Sequence, residues 1–204
     1  MISIERISEY ISLPSEHDKP NKVAAPKDWP SSGHIKFNQV SLTYDENLPD
    51  VLRSISLDIN STEKIGIVGL TGAGKSTFFE TLFRMYQPEG MIQIDGVDIS
   101  TLILFDLRSR LTIIPQEPVL FSGTVRFNLD PLGTREDSEL WKALELVNLK
   151  SVIQQMNGFL DSPVSSDSSN LSIGQKQLFC VARAIIKKPK ILIIDETTGS
   201  VDYK

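Results

Sequence analysis

Residues Gly69 to Thr77 read G-L-T-G-A-G-K-S-T, directly after the apolar run K-I-G-I-V that ends at Val68. This is the pattern G-x-x-x-x-G-K-[ST], in the strand–loop–helix context that the pattern requires. Gly69, Gly72 and Gly74 let the backbone curl until successive N–H groups point inward at a phosphate, and the helix that follows adds its positive end. Leu70, Thr71 and Ala73 complete the cradle and Thr77 closes it. Lys75 reaches the outer phosphates, and the Ser76 hydroxyl coordinates Mg²⁺. A chance match in a chain of this length is on the order of one in a hundred. The chain binds a nucleoside triphosphate, or descends from one that did.

Four aliphatics, I-L-I-I, run straight into Asp195 and Glu196. A buried strand delivers Asp195 at its carboxyl end, where it can hold Mg²⁺ through water. Glu196, one residue on, can orient and polarise an attacking water. Alone, two acids at a strand end are an ordinary solvated surface. Downstream of a phosphate loop they point to a P-loop ATPase whose catalytic glutamate adjoins its metal aspartate. Between the two motifs lies L-S-I-G-Q-K-Q-L, Leu171 to Leu178. As pattern this is a helix start, with Ser172 as N-cap and Gln175 in the capping-box position.

The elements that must carry these residues are legible in outline. Ile4, Ile7 and Ile11 follow helical spacing up to Pro14, and residues 14–33 carry Pro14, Pro20, Pro26 and Pro30 in the composition of a linker. H-I-K-F, then L-R-S-I-S-L-D-I with alternating Ile55, Leu57 and Ile59, then K-I-G-I-V read as strands. A helix leaving the loop near Gly74 buries Phe78, Leu82 and Phe83. M-I-Q-I-D-G is a strand and turn, and L-T-I-I-P a buried strand ended by Pro115. Residues from about 119 to 170 hold helical patterns such as Leu140, Ala143, Leu144 and Val147, without strand patterns, and a helix from Ser172 to about Lys187 follows. The apolar central strands predict a largely parallel, buried sheet.

Bulk properties narrow the class. The 204 residues, 40% hydrophobic and 23% charged, suffice for one core with an inserted subdomain or for two small domains. The net charge of −5 argues against general nucleic-acid binding. The single cysteine, Cys180, excludes an intrachain disulfide and reads as a buried apolar residue. His17 and His34 have no metal-like partners in the sequence. No apolar run approaches the ~20 residues needed to cross a bilayer.

Taken together, these motifs resemble those of ATP-binding cassette (ABC) proteins, and the resemblance covers essentially the whole chain. It is closest to the second nucleotide-binding domain of the C subfamily, the multidrug-resistance-associated type. It rests on S-I-E-R-I-S-E-Y before the Pro-rich stretch, on W-P-S-S-G-H-I-K-F, on P-Q-E-P-V-L-F-S-G-T-V-R-F-N-L-D-P and on the intact Asp-Glu pair. The resemblance implies an α/β fold, a P-loop NTPase cassette with a mostly parallel core sheet, N-terminal antiparallel strands and an inserted helical subdomain at about 119–187. Residues 1–33 would be the helix and linker leaving a transmembrane domain, and 34–204 the ATP-binding domain.

The same resemblance assigns roles. Tyr44, in V-S-L-T-Y, would stack on adenine. Gln116 would be the Q-loop glutamine, touching Mg²⁺ and sensing the transmembrane domains; with Glu196 it would be catalytic, and with Ser76 and Asp195 it would hold the metal. Leu171, Ser172, Ile173, Gly174 and Gln175 would be the signature facing ATP on a partner cassette. Ser200 and Asp202 would belong to the D-loop between cassettes. The implied ligands are ATP and Mg²⁺. The partners would be a second cassette and the transmembrane domains of the parent chain, at the cytosolic face of a membrane, with no nucleic acid.

This sequence departs from the family pattern at Ile173, which replaces a glycine, and at S-S-D-S-S-N, Ser165 to Asn170. It also ends at Lys204, before the family's switch histidine, so K-I-G-I-V and I-L-I-I are expected to flank an empty slot in the sheet. The function implied is an ATP-hydrolysing cassette that powers export. An ATP-gated regulator or channel, a nucleotide-binding remnant without turnover, and a soluble ABC ATPase remain open as alternatives, the last disfavoured by residues 1–33.

Overall fold

An eight-residue strand, β1 (Ile35–Leu42), organises the N-terminal part of the chain. It pairs antiparallel with β2 (Leu52–Ile59) on one side and β3 (Glu89–Ile94) on the other, and β3 turns into the short β4 (Val97–Asp98), giving the order β2-β1-β3-β4. Ile35, Phe37, Val40 and Leu42 all point inward although Phe37 and Val40 are three apart, because a register shift between them flips the side-chain alternation. The chain was obtained as a computed structural model that describes residues 2–13, 16, 22–45, 47–70, 72–164 and 171–195, in two compact units, 1–109 and 110–204.

In the first unit, α2 (Lys75–Leu82) lies on this sheet through Phe78, whose ring stacks on Phe37 at 4.6 Å. Leu82 is buried with it, together with Leu102, and with Leu107 on α3 (Leu104–Arg110). The N-terminal helix α1 (Ile2–Ser12) forms as its spacing predicts, and Ile4, Ile7, Tyr10 and Ile11 on it are exposed.

Residues 22–34 have linker composition but run as a strap along this unit. The Val23 N–H donates to the Thr101 carbonyl, and the Val23 carbonyl accepts in turn from Ile103 N–H, both at 2.9 Å. Ala25 N–H donates to Asp106 (2.8 Å), and the buried Trp29 indole donates to the Ile94 carbonyl (2.8 Å). The strap ends on Asp95, whose carboxylate accepts from the backbone N–H groups of Ser32, Gly33 and His34 and from the Ser32 hydroxyl. Proline and small residues leave the strap without regular structure, so its amides are satisfied by side chains and loop carbonyls instead.

An expectation is overturned in the first unit. K-I-G-I-V, predicted as a buried strand, forms no ladder, and Ile65, Ile67 and Val68 are exposed, Val68 by 94%. An apolar run becomes a buried strand only where neighbours offer a ladder on it, and none of the four strands of its unit pairs with it.

The second unit holds the parallel element. β5 (Leu111–Ile114) and β8 (Ile191–Ile194) pair in register from Leu111–Ile191 to Ile114–Ile194, and the ladder extends to Asp195 N–H on the Ile114 carbonyl at 3.0 Å. Among the described residues this two-stranded sheet is the parallel one; the four-stranded sheet is antiparallel throughout, so the largely parallel sheet that the apolar runs predict is not found among them. The continuous apolar run of β8 predicts burial on both faces, and each is covered in part: Ile191 and Ile193 are buried on one, Thr112 and Ile114 on the other, while Leu192 and Ile194 are exposed. On β5, Cys180 and Ala184 of α7 (Ile173–Lys187) pack on Ile114, on the face that the register gives to Ile114 and Ile194. Burial raises the Cys180 thiol above its ordinary pKa, as its reading as a core residue requires.

The helical block forms between them. A two-residue pair, β6 (Gly123–Thr124) with β7 (Pro163–Val164), is too short to be read from sequence. It brackets α4 (Val125–Leu129), α5 (Asp137–Leu146) and α6 (Lys150–Gln154). Leu140, Ala143, Leu144 and Val147 are buried as their spacing predicts, against Phe179 and Ala182 of α7.

Two outcomes are expected. At Gly90 the φ is +81°, and an added Cβ would lie 2.4 Å from the Gln39 carbonyl oxygen in the β1 irregularity. Gly90→Ala should therefore destabilise by more than about 1 kcal/mol in urea unfolding. For Asp95, burial favours the neutral form but is outweighed by the Ser32 hydroxyl and the three amides, which hold the carboxyl far below the usual range. Its contribution is complete above the unfolded value of about 3.9 and fades as pH falls toward the lower folded value. Thermal melts should then show the wild type losing its advantage over Asp95→Asn as pH drops below about 4, and a gap independent of pH would refute this.

Candidate functional site

The phosphate-loop pattern folds around the start of α2. Gly74 precedes the helix at φ +87°, and a Cβ there would come within 3.2 Å of the Val51 side chain and carbonyl, so conformation and space both require glycine. The first helical bond outside the element is Phe78 N–H to Gly74 carbonyl, at 2.9 Å, so the amides of Ser76 and Thr77 stand in the first turn with no helical acceptor. Lys75 curls over the loop and donates from Nζ to the carbonyls of Gly69 (2.7 Å) and Leu70 (3.1 Å). Ser76 is exposed. The arrangement gathers a cation, a helix N-terminus and first-turn amides without a partner among the described residues at one end of α2, a setting for anions.

Tyr44 is brought to the same helix. Its hydroxyl lies 2.7 Å from Thr77 Oγ1 and donates to Glu80 Oε2 at 3.2 Å, while its ring meets Tyr86 edge to face at 4.7 Å. Burial, reinforced by the Glu80 charge and opposed by the Thr77 bond, raises the Tyr44 hydroxyl above its ordinary pKa, so it keeps its proton at neutral pH. The residue remains 43% exposed. Sequence reasoning missed Glu80 and Tyr86; the i,i+3 spacing of Thr77 and Glu80 puts both on one helix face, which was the available signal.

In the second unit, the parallel register of β5 and β8 brings Pro115–Gln116 and Asp195 to the same carboxyl edge, the end at which open α/β sheets bind ligands. Gln116 is exposed and Asp195 half-buried there. The capping box at the start of α7 is present: Gln175 N–H donates to Ser172 Oγ (3.2 Å), and Ser172 N–H donates to Gln175 Oε1 (2.9 Å). Leu171 is buried and anchors the turn, Gly174 follows on the first turn, and Ile173 points outward, 62% exposed. Thr71, Glu196, Ser200, Asp202 and the stretch Ser165 to Asn170 lie outside the described residues.

Arg183 on α7 went unnoticed in the sequence. Its guanidinium donates to the carbonyls of Asn128 (2.5 Å) and Val119 (2.7 Å) and to Asn128 Oδ1 (2.9 Å), and it lies over the Phe121 ring. Burial lowers its pKa, but an arginine keeps its charge through such a shift. The fork ties the segment after Gln116 to the helix capped by Ser172.

Among known proteins, the family model described as "ABC transporter" matches residues 52–199. The chain is 49% identical, over its whole length, to "ATP-binding cassette sub-family C member 2" of Homo sapiens, of which it spans 13%. It is 50% identical to "ATP-binding cassette transporter abc2" of Schizosaccharomyces pombe, again over its whole length and 14% of that protein. A solved structure described as "Structure of a bacterial Atm1-family ABC exporter with ATP bound" superposes with a TM-score of 0.86 at 32% identity, over 98% of this chain and 35% of that one. The match runs through the loop at Gly69, the helix at Ser172 and the strand at Asp195, as the separate motifs had implied: the chain belongs to the ABC transporter family, whose cassette domain binds ATP.

Proposed function

We propose that this chain is the ATP-binding and ATP-hydrolysing cassette of a C-subfamily exporter, in the position of the second nucleotide-binding domain. The observation that carries the proposal is the phosphate loop itself, with Lys75 over Gly69 and Leu70 and first-turn amides of α2 that have no partner among the described residues. Residues 34–204 would be the cassette, and 1–33 the connection to a transmembrane domain. No helix among the described residues is long and apolar enough to cross a membrane. The cassette would work at the cytosolic face, on transmembrane domains of a longer parent chain.

In this reading Gly69–Thr77 wrap the phosphates with their backbone, Lys75 neutralises the outer ones, and Tyr44 stacks on the base. The donor set suits Mg²⁺, which takes hard oxygen ligands in near-octahedral geometry: the exposed Ser76 hydroxyl, the Gln116 amide oxygen and the Asp195 carboxylate are all oxygens. When bound, the ion would neutralise charge building on the phosphates. Glu196 would orient the attacking water and accept its proton. Leu171 to Gln175 would face ATP held by a second cassette, with Ser200 and Asp202 in the segment between the two. The −5 net charge agrees with a partner set lacking nucleic acid.

Calorimetric titration of Mg-ATP tests the assignment. Lys75→Ala should weaken binding at least about tenfold, the scale of a lost charge-assisted bond; unchanged binding refutes the phosphate site. In the complete transporter, Glu196→Gln should abolish most turnover and leave ATP binding intact. Ile173→Gly should change turnover little, since Ile173 lies on the signature offered to the other site. Full turnover in Glu196→Gln would remove that residue from the chemistry.

A further inference from the structure

We propose that Thr77 and Glu80 hold Tyr44 as a preset face for the nucleobase, so that the base platform is an extension of the phosphate-loop helix rather than a separate mobile loop. The proposal rests on the phosphate-loop reading above and adds to it two positioning residues on α2.

The geometry sets the direction of the bonds. The Tyr44 hydroxyl has one proton, and it donates that proton to the Glu80 carboxylate. Its lone pairs then face the Thr77 hydroxyl, which must be the donor across their 2.7 Å contact. Thr77 is buried and follows Ser76 directly in the helix, so its backbone N–H belongs to the phosphate side while its hydroxyl is spent on the base side. A chain of two hydrogen bonds ending on a carboxylate is mutually polarising. The edge of Tyr86 against the Tyr44 ring, 77° between planes, restrains the remaining tilt. A ring fixed at three points loses little freedom when a base stacks on it, and preorganisation of this kind appears directly as affinity. Because every base has a π-face, the gain should extend to any nucleoside triphosphate and be absent for a polyphosphate without a base.

Titrations of the full 204-residue chain with Mg-ATP, Mg-GTP and magnesium tripolyphosphate separate the possibilities. Tyr44→Phe keeps the ring and removes both bonds. It should weaken ATP and GTP about 3- to 10-fold, the range of one or two hydrogen bonds, and leave tripolyphosphate unchanged. Glu80→Ala should give the same loss, Glu80→Gln, which keeps an acceptor oxygen, should stay within about twofold of wild type, and the Tyr44→Phe/Glu80→Ala double variant should be no worse than either single one. Thermal melts with and without tripolyphosphate report folding and phosphate binding independently of the base. The proposal is overturned if Tyr44→Phe binds ATP as wild type does, if the two losses add, or if tripolyphosphate weakens in parallel. If the folded wild type takes up neither ATP nor tripolyphosphate, the phosphate-loop reading fails first and this proposal fails with it. If it binds tripolyphosphate and ATP equally well, only the base platform is lost.

Discussion

The stack of Phe78 on Phe37 is the contact on which the N-terminal unit depends. Backbone amides can hold an anion only if the helix that presents them does not move, and Phe78 fixes α2 to the fully buried centre of β1, one turn past Gly74. The far end of α2 is held as firmly. The guanidinium of Arg108 donates to the carbonyls of Phe83 (2.9 Å) and Arg84 (3.1 Å), where the helix dipole favours a cation, and pairs with Glu16 by two bonds. Arg84 itself is buried and donates to the carbonyls of Ile99 (3.0 Å) and Leu102 (2.6 Å). Burial first, and the neighbouring Arg108 charge second, lower its pKa, with Asp98 and Glu16 opposing. The loop at one end of α2 is thus stiff because of aromatic packing and arginine forks elsewhere on it.

The second unit solves its positioning problem with a ladder instead. Parallel pairing makes the carboxyl ends of β5 and β8 coincide, so Gln116 and Asp195 meet through backbone register and need no contact between their side chains. The segment after Gln116 would be a loose loop without Arg183. Asn128 forms the hub: its Nδ2 donates to the carbonyls of Phe121 (2.8 Å) and Thr124 (3.0 Å), and its Oδ1 accepts from Phe121 N–H (2.8 Å) and from Arg183. Every polar atom of a fully buried amide is paired, which is the condition for such a network to rigidify rather than destabilise. Lysine could not reproduce this fork, because an ammonium is a point donor on a flexible stem.

Those features explain which parts of the sequence can be read in advance. Motifs whose function resides in the backbone are legible, since glycine spacing at Gly69–Gly74 and the Ser172–Gln175 capping box encode local conformation directly. Helical periodicity at Leu140–Val147 is equally clear because burial there follows one local period. Long-range partners are not legible. Asp95, in a D-G turn, reads as turn chemistry and gives no sign that it closes a strap arriving from about sixty residues away. The strap reads as linker because proline-rich composition reports the absence of regular structure and says nothing about docking. K-I-G-I-V misleads for the complementary reason. Apolar content measures how much a segment gains from a ladder, and the neighbours that supply one are not local in sequence.

Lys75 shows how the loop can be ordered and still be receptive. Its ammonium donates to two carbonyls of its own loop, at the partly exposed surface where such bonds contribute only about 0.5–1.5 kcal/mol net each. Bonds of the same ammonium to phosphate oxygens are ionic at both ends and roughly twice as strong. Exchange of partners is therefore downhill once a polyphosphate arrives, and the side chain need only swing from Gly69 and Leu70 into the space those carbonyls border. Until then the contacts keep the long side chain over the loop and reduce the rotamer entropy left to lose. A surface lysine free in solvent would have to be ordered at the moment of binding, a penalty of up to ~2 kcal/mol that this geometry has already met in part.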